Sequence, residues 1–260
     1  MRIFRFIYLI FSIIAACVFT ALSITYRFDT FSFFIILLLL FLPNYLLRNN
    51  DRKQAARIIY DYSNNCDPYL YINSMEKYRK GCLLSKKQKM VYDLYKCVAL
   101  LDAGEFDRAR DILIDIDKAQ VGFDDVTNMI LIKNWCEYFY YNNLDVKLKA
   151  SILKMKELIT SSSDNNLRAG SGLVYHNLEA KYYILSGENL MKARKIYTDV
   201  ANMAPTKLNV VRAMYELALI DIKEKRYDDA LVKLKRVSEH NNSLYIVRRS
   251  KEIIDMYNNK

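Results

Sequence analysis

From residue 51 onward apolar side chains recur at three- and four-residue steps, and the strict alternation of a half-buried strand is absent. The pattern predicts an all-α fold, with helices over 51–64, 68–80, 84–103, 105–119, 124–142, 144–160, 168–186, 189–203, 207–224, 227–239 and 242–258. The breaks carry helix-stopping chemistry. Gly104, Gly122 and Gly187 stand where helices end, Asp67-Pro68 and Ala204-Pro205 open turns, and 161–166 is a run of Ser, Asp and Asn. Short links make successive helices antiparallel neighbours, so the soluble part reads as a series of helical hairpins.

Before residue 51 the pattern is different. Phe6–Tyr26 and Thr30–Leu47 hold no charged side chain, and 33–42 reads FFIILLLLFL. As helices these stretches reach about 31 and 27 Å, close to the ~30 Å hydrocarbon core of a bilayer. Residues 1–48 are therefore expected to form a transmembrane helical hairpin with spans 6–26 and 30–47. Arg2 and Arg5 precede the first span, and Arg48, Arg52, Lys53 and Arg57 follow the second. The intervening loop has Arg27 beside Asp29. The positive-inside rule then places both termini in the cytoplasm, in a cell (inner) membrane of bacterial type. Ile14-Ala15-Ala16-Cys17 also resembles a lipoprotein signal that would lipidate Cys17, but the apolar run continues through Val18–Leu22, as a membrane span would.

The net charge of +10 sits mostly after the second span: residues 48–90 hold ten Lys and Arg against four acids, while 91–260 are nearly balanced. The segment 49–83 reads as basic juxtamembrane helices suited to anionic lipid head groups. No nucleic-acid motif accompanies the charge, so no nucleic-acid partner is expected. Five cysteines without a CxxC pair exclude a disulfide scaffold and a spaced zinc site. His176 and His240 lack neighbours at metal-ligand spacing, and Gly170-Ser171-Gly172 is neither a nucleophile elbow nor a phosphate loop. No catalytic residue, cofactor or metal is predicted.

The hairpins resemble one another. Cys97 is followed by Gly104, Phe106, Ala109, Leu113 and Ile116; Ala218 is followed by Tyr227, Ala230, Leu234 and Val237 at the same spacings. Ala180, Tyr183, Gly187, Leu190, Ala193, Tyr197, Val200 and Pro205 repeat the scheme with one extra residue in the turn. Ala56, Tyr60 and Pro68 give a half-match, and 124–160 matches only at Ala150 and Leu158. This pattern resembles the tetratricopeptide (TPR) repeat, in which small residues let the two helices approach and bulky ones fill the space between stacked pairs. The resemblance implies a TPR-like α-solenoid over 84–258, capped by the last helix.

TPR-like arrays present a groove lined by first helices, and the resemblance implies partner-contacting side chains at Leu94, Val98, Asn177, Lys181, Arg212, Tyr215 and Leu219. The expected function is a membrane-anchored protein–protein interaction scaffold whose partner is an unidentified protein or peptide, with lipid contact through the hairpin and the basic segment. Two alternatives stand beside it: a peptide- or small-ligand-sensing regulator, which needs a closed pocket, and an enzyme, which needs a deep cleft with converging titratable groups.

Overall fold

The computed structural model describes residues 10, 13–15, 17–18, 20–21, 53–80, 84–119, 121–203 and 206–259. The two expected spans and Arg48 and Arg52 fall outside these residues, apart from scattered positions of 6–26. Among the described residues no helix is long and apolar enough to cross a membrane. The described chain is all-α. It divides into two compact units, 1–60 with 74–84, and 61–73 with 85–260.

The helices are α1 (53–65), α2 (Pro68–Lys80), α3 (Lys86–Asp102), α4 (Phe106–Lys118), α5 (Asp125–Tyr141), α6 (Asp145–Ser161), α7 (Asn165–Gly170), α8 (Gly172–Ser186), α9 (Leu190–Met203), α10 (Lys207–Lys223), α11 (Tyr227–Ser238) and α12 (Tyr245–Asn258). In the first unit, Lys53, Ala56 and Arg57 are exposed on α1, so Ala56 is not a buried repeat anchor there. Local chemistry sets many of the starts in the second unit. Ser85 and Gln88 form a reciprocal capping box at α3, Asp124 accepts the Thr127 N–H at 2.8 Å to open α5, and Asp164 caps α7. The predicted helix 168–186 is two helices, α7 and α8, meeting at the buried Ser171.

The second unit is built from hairpins α3–α4, α5–α6, α8–α9 and α10–α11, each packed on the next. Three of their turns share one hydrogen-bond scheme. Gly104, Asn143 and Lys225 have positive φ; each donates its N–H three residues back, and the following residue donates five residues back. This is the Schellman closure, which satisfies the last carbonyls of the first helix. Gly187 supplies the left-handed residue in the fourth turn.

Packing follows the same frame. Cys97, Cys136, Ala180 and Ala218 on the first helices are fully buried, as are Ala109, Leu148 and Ala193 on the second, with Ala230 1% exposed. The hairpin α5–α6 corrects the sequence reading: Ala150 is exposed, and Leu148, Ile152 and Met155 take the anchor positions, five residues past the turn residue Asn143, as Ala109 is from Gly104. A leucine fills the place where the other hairpins have alanine, which hides the repeat from a search for small residues.

The last helix returns to the first hairpin. Arg248 donates to the Ala103 carbonyl at 2.8 Å, and the Tyr245 ring meets Phe106 edge-on at 5.0 Å between centroids. Gly104 makes the return possible: a Cβ there would lie 2.8 Å from Tyr245 Cδ2, and its φ is +74°. Gly104→Ala is expected to destabilise the protein by about 2–3 kcal/mol in urea unfolding. Gly170→Ala, which meets open space, is expected to be neutral or mildly stabilising. Equal effects would refute the close approach.

Candidate functional site

The first helices of all four hairpins turn one face inward. On α8 this face is Val174, Asn177, Leu178 and Lys181, on α10 Asn209, Arg212, Ala213 and Glu216, both with the steps of a single helical stripe. Lys133, Asn134 and Glu137 of α5 and Val98, Leu101 and Asp102 of α3 complete the wall, and α9 closes one side with Tyr197 and Val200. Together they line a cavity of about 380 Å³, within the range of small-ligand pockets. Leu173 and Met203, 62% and 76% exposed, form an apolar rim.

Two ionic clusters are built into the wall. In one, the Lys181 ammonium lies 2.5 Å from Glu137 Oε2 and 3.4 Å from Glu216 Oε1, and 4.5 and 5.0 Å from the ring centres of Tyr140 and Tyr141. Tyr140 donates its hydroxyl to Glu216 at 2.5 Å. In the other, Asp102 is held by the Arg212 guanidinium, whose Nε is 3.2 Å from Oδ1, and by the Tyr62 hydroxyl. Both clusters join helices distant in sequence, as buried charges must be paired to persist.

The two carboxylates on Lys181 are unequal. Burial pushes the Glu137 carboxyl up, but the ammonium groups of Lys181 and Lys133 outweigh it and hold it below its ordinary value. For Glu216 burial wins, and the group stays above that value despite Lys181 and the Tyr140 hydrogen bond. Distance agrees, since the nearer carboxylate is Glu137. Burial depresses the Lys181 ammonium, yet Glu137, Tyr141 and Glu216 together raise it well above the usual lysine range.

Three polar groups on the wall lack partners. Among the described residues Lys133 makes no ion pair or hydrogen bond, and burial lowers its pKa against the partial support of Glu137. Asn134 is fully buried; its Nδ2 donates to the Leu94 carbonyl at 2.8 Å, which fixes the amide and leaves Oδ1 unpaired. Asn177 Oδ1 is buried and likewise unpaired. An unmet buried acceptor costs about 1–3 kcal/mol, so these oxygens have capacity for donors.

Of the seven side chains expected in a groove, Val98, Asn177, Lys181 and Arg212 line this cavity. Leu94 and Tyr215 do not: they are 0% and 4% exposed and pack in the core, and Leu219 is half-buried against it. On their helices the cavity is lined by Val98, Leu101 and Asp102 of α3 and by Asn209, Arg212, Ala213 and Glu216 of α10, and Leu94, Tyr215 and Leu219 lie outside that lining. Sequence reasoning missed Lys133 and Glu137, although they stand at the same offsets from Cys136 as Asn177 and Lys181 do from Ala180. The signal was the turn residue Asn143, which sets the register of that hairpin. Among the described residues no cluster of His, Cys, Asp and Glu could hold a metal ion.

The inequality of the carboxylates has a measurable consequence. Glu137→Gln strands the Lys181 ammonium and is expected to lower unfolding stability by about 3 kcal/mol at pH 7. Glu216→Gln is expected to cost less than about 1.5 kcal/mol, because Tyr140 retains an acceptor. Stability from the depressed Glu137 group is present above its ordinary value near 4.5 and is lost as pH falls below it. The gap between wild type and Glu137→Gln should therefore shrink below pH 4.5. Stability from the raised Glu216 group is present below that value and lost as pH rises, so Glu216→Gln should improve relative to wild type above it. Urea unfolding across pH 3–8 checks both signs.

No family model, curated protein or solved structure matches the chain.

Proposed function

We propose that the chain is a membrane-tethered, TPR-like recognition module that encloses a small ligand or a short peptide within its helical hairpins. The observation that carries this reading is the convergence of four first helices on one cavity with unmet hydrogen-bonding capacity. A groove for docking a whole protein would need a broad open wall. Here the wall turns inward, and the last helix packs against the first hairpin. Binding is preferred to catalysis because the unmet groups on the wall, two amide oxygens and one ammonium, are hydrogen-bonding groups with no Ser, Thr, Cys or His beside them among the described residues.

The tether is carried by the apolar stretches 6–26 and 30–47 and by the basic residues Arg48, Arg52, Lys53 and Arg57. With both termini cytoplasmic, the cavity would lie on the cytoplasmic side of the membrane.

Thermal unfolding of the full-length chain in detergent tests the binding reading. A panel of amino acids, short peptides, nucleotides and sugars should contain members that raise the midpoint by about 5 °C at saturation. The rise should vanish in Val98→Trp, whose indole occupies the cavity. A midpoint that no panel member moves, together with a Val98→Trp variant that behaves as wild type throughout, would contradict the proposal.

A further inference from the structure

We propose that the cavity selects a zwitterion with an apolar side chain: a molecule with a free ammonium and a free carboxylate close together, such as an apolar α-amino acid or a peptide of two or three such residues. This inference rests on the reading of the cavity as a ligand site and names the ligand's chemistry.

The unpaired groups dictate both charges. Asn134 Oδ1 and Asn177 Oδ1 accept only, and the Asn134 amide cannot turn over without losing its bond to the Leu94 carbonyl. They call for a ligand rich in N–H donors, which an ammonium supplies. Lys133 donates only and has no acceptor among the described residues: its helical neighbour Glu137 is engaged by Lys181 at 2.5 Å. It calls for an anionic acceptor, which a carboxylate supplies.

Charge balance sets the net charge. The buried and half-buried part of the wall carries three cations, Lys133, Lys181 and Arg212, and three carboxylates, Asp102, Glu137 and Glu216; a fourth carboxylate, Asp199, is exposed and keeps its own hydration. A ligand of net charge would leave one charge uncompensated in a buried site, whereas a zwitterion adds none. Most of the remaining surface is apolar, with Tyr141, Tyr197 and Asn209 beside the aliphatic side chains. Val98, Leu101, Val174 and Val200 line it, and exposed Leu173 and Met203 extend it to the rim. A polar or charged ligand side chain would lose its hydration there without a partner. The volume of about 380 Å³ lies near the lower end for drug-sized pockets, which suits one to three residues.

Calorimetric titration of the full-length chain in detergent with leucine, N-acetyl-leucine, leucinamide, leucyl-leucine and leucyl-leucyl-leucine separates the possibilities. Leucine or its short peptides should bind, and blocking either charged group should weaken binding by about 30-fold or more, two lost charge-assisted hydrogen bonds being worth at least that. Tightest binding by leucine assigns a free amino acid; tightest binding by a peptide assigns a peptide. In Lys133→Met, leucine should lose its advantage over leucinamide while keeping its advantage over N-acetyl-leucine. The unsubstituted chain alone decides the main question, so a variant that fails to fold does not spoil the test. If leucinamide or N-acetyl-leucine binds as well as leucine, or if only compounds lacking these groups bind, the zwitterion assignment is wrong and the ligand site stands. If none of the five binds, and Val98→Trp matches wild type against the wider panel, both are wrong.

Discussion

The Lys181 ammonium is the pivot of the cavity wall. It is buried where α5, α8 and α10 meet, with a carboxylate from each of the two flanking helices and two tyrosine rings around it. A cation so placed needs those partners, because unpaired charge in a protein interior is severely destabilising. Meeting that need fixes the inward faces of three first helices in register. The Asp102–Arg212–Tyr62 cluster does the same for α3 and α10, across 110 residues of sequence. What these clusters enclose is a space that apolar packing would have filled.

Ion pairs of this kind rarely stabilise a fold more than well-packed apolar side chains would. The unit shows that apolar packing is available to it: Leu148, Ala180, Ile184, Ala193 and Ile220 form a continuous core behind the cavity wall. Elsewhere a buried carboxylate serves the fold alone. Asp221 is fully buried and accepts from Arg194, Arg226 and Lys233, pinning α9, α10 and α11 outside the lining of this cavity. The contrast lies in the leftover valence. Asp221 is surrounded by donors, while the cavity wall keeps two amide oxygens and one ammonium unmatched.

The helices and the hairpin frame were legible in the sequence because periodicity and turn residues are local signals. Gly104 and Gly187 announced their turns by residue type; at Asn143 and Lys225 the breaks were read from periodicity, but nothing in those residues announced the same left-handed geometry. Leu148 in place of alanine displaced the frame of α5–α6 by two residues, and with it the recognition of Lys133 and Glu137. Val98, Asn177, Lys181 and Arg212 were found because they lie beside well-framed anchors. Asp102 and Glu216 were not, since their role depends on partners 110 and 76 residues away. Tyr215 was misjudged because the rotation of α10 is set by its packing on α9, α11 and α12, which no local pattern encodes. That α12 meets α3 was equally invisible, as it follows from the accumulated angles of four hairpins.

If the charges around Lys181 exist for the cavity and not for the fold, replacing them together by apolar side chains should leave the fold intact. Urea unfolding of the full-length chain bearing Lys181→Met, Glu137→Met, Glu216→Leu and Tyr140→Phe measures this directly. The expected result is an unfolding free energy within about 2 kcal/mol of wild type, or above it, with the same cooperativity. A loss of more than about 5 kcal/mol, or a non-cooperative transition, would mean that the ionic cluster is itself the scaffold, and that the cavity is a by-product of holding the helices together.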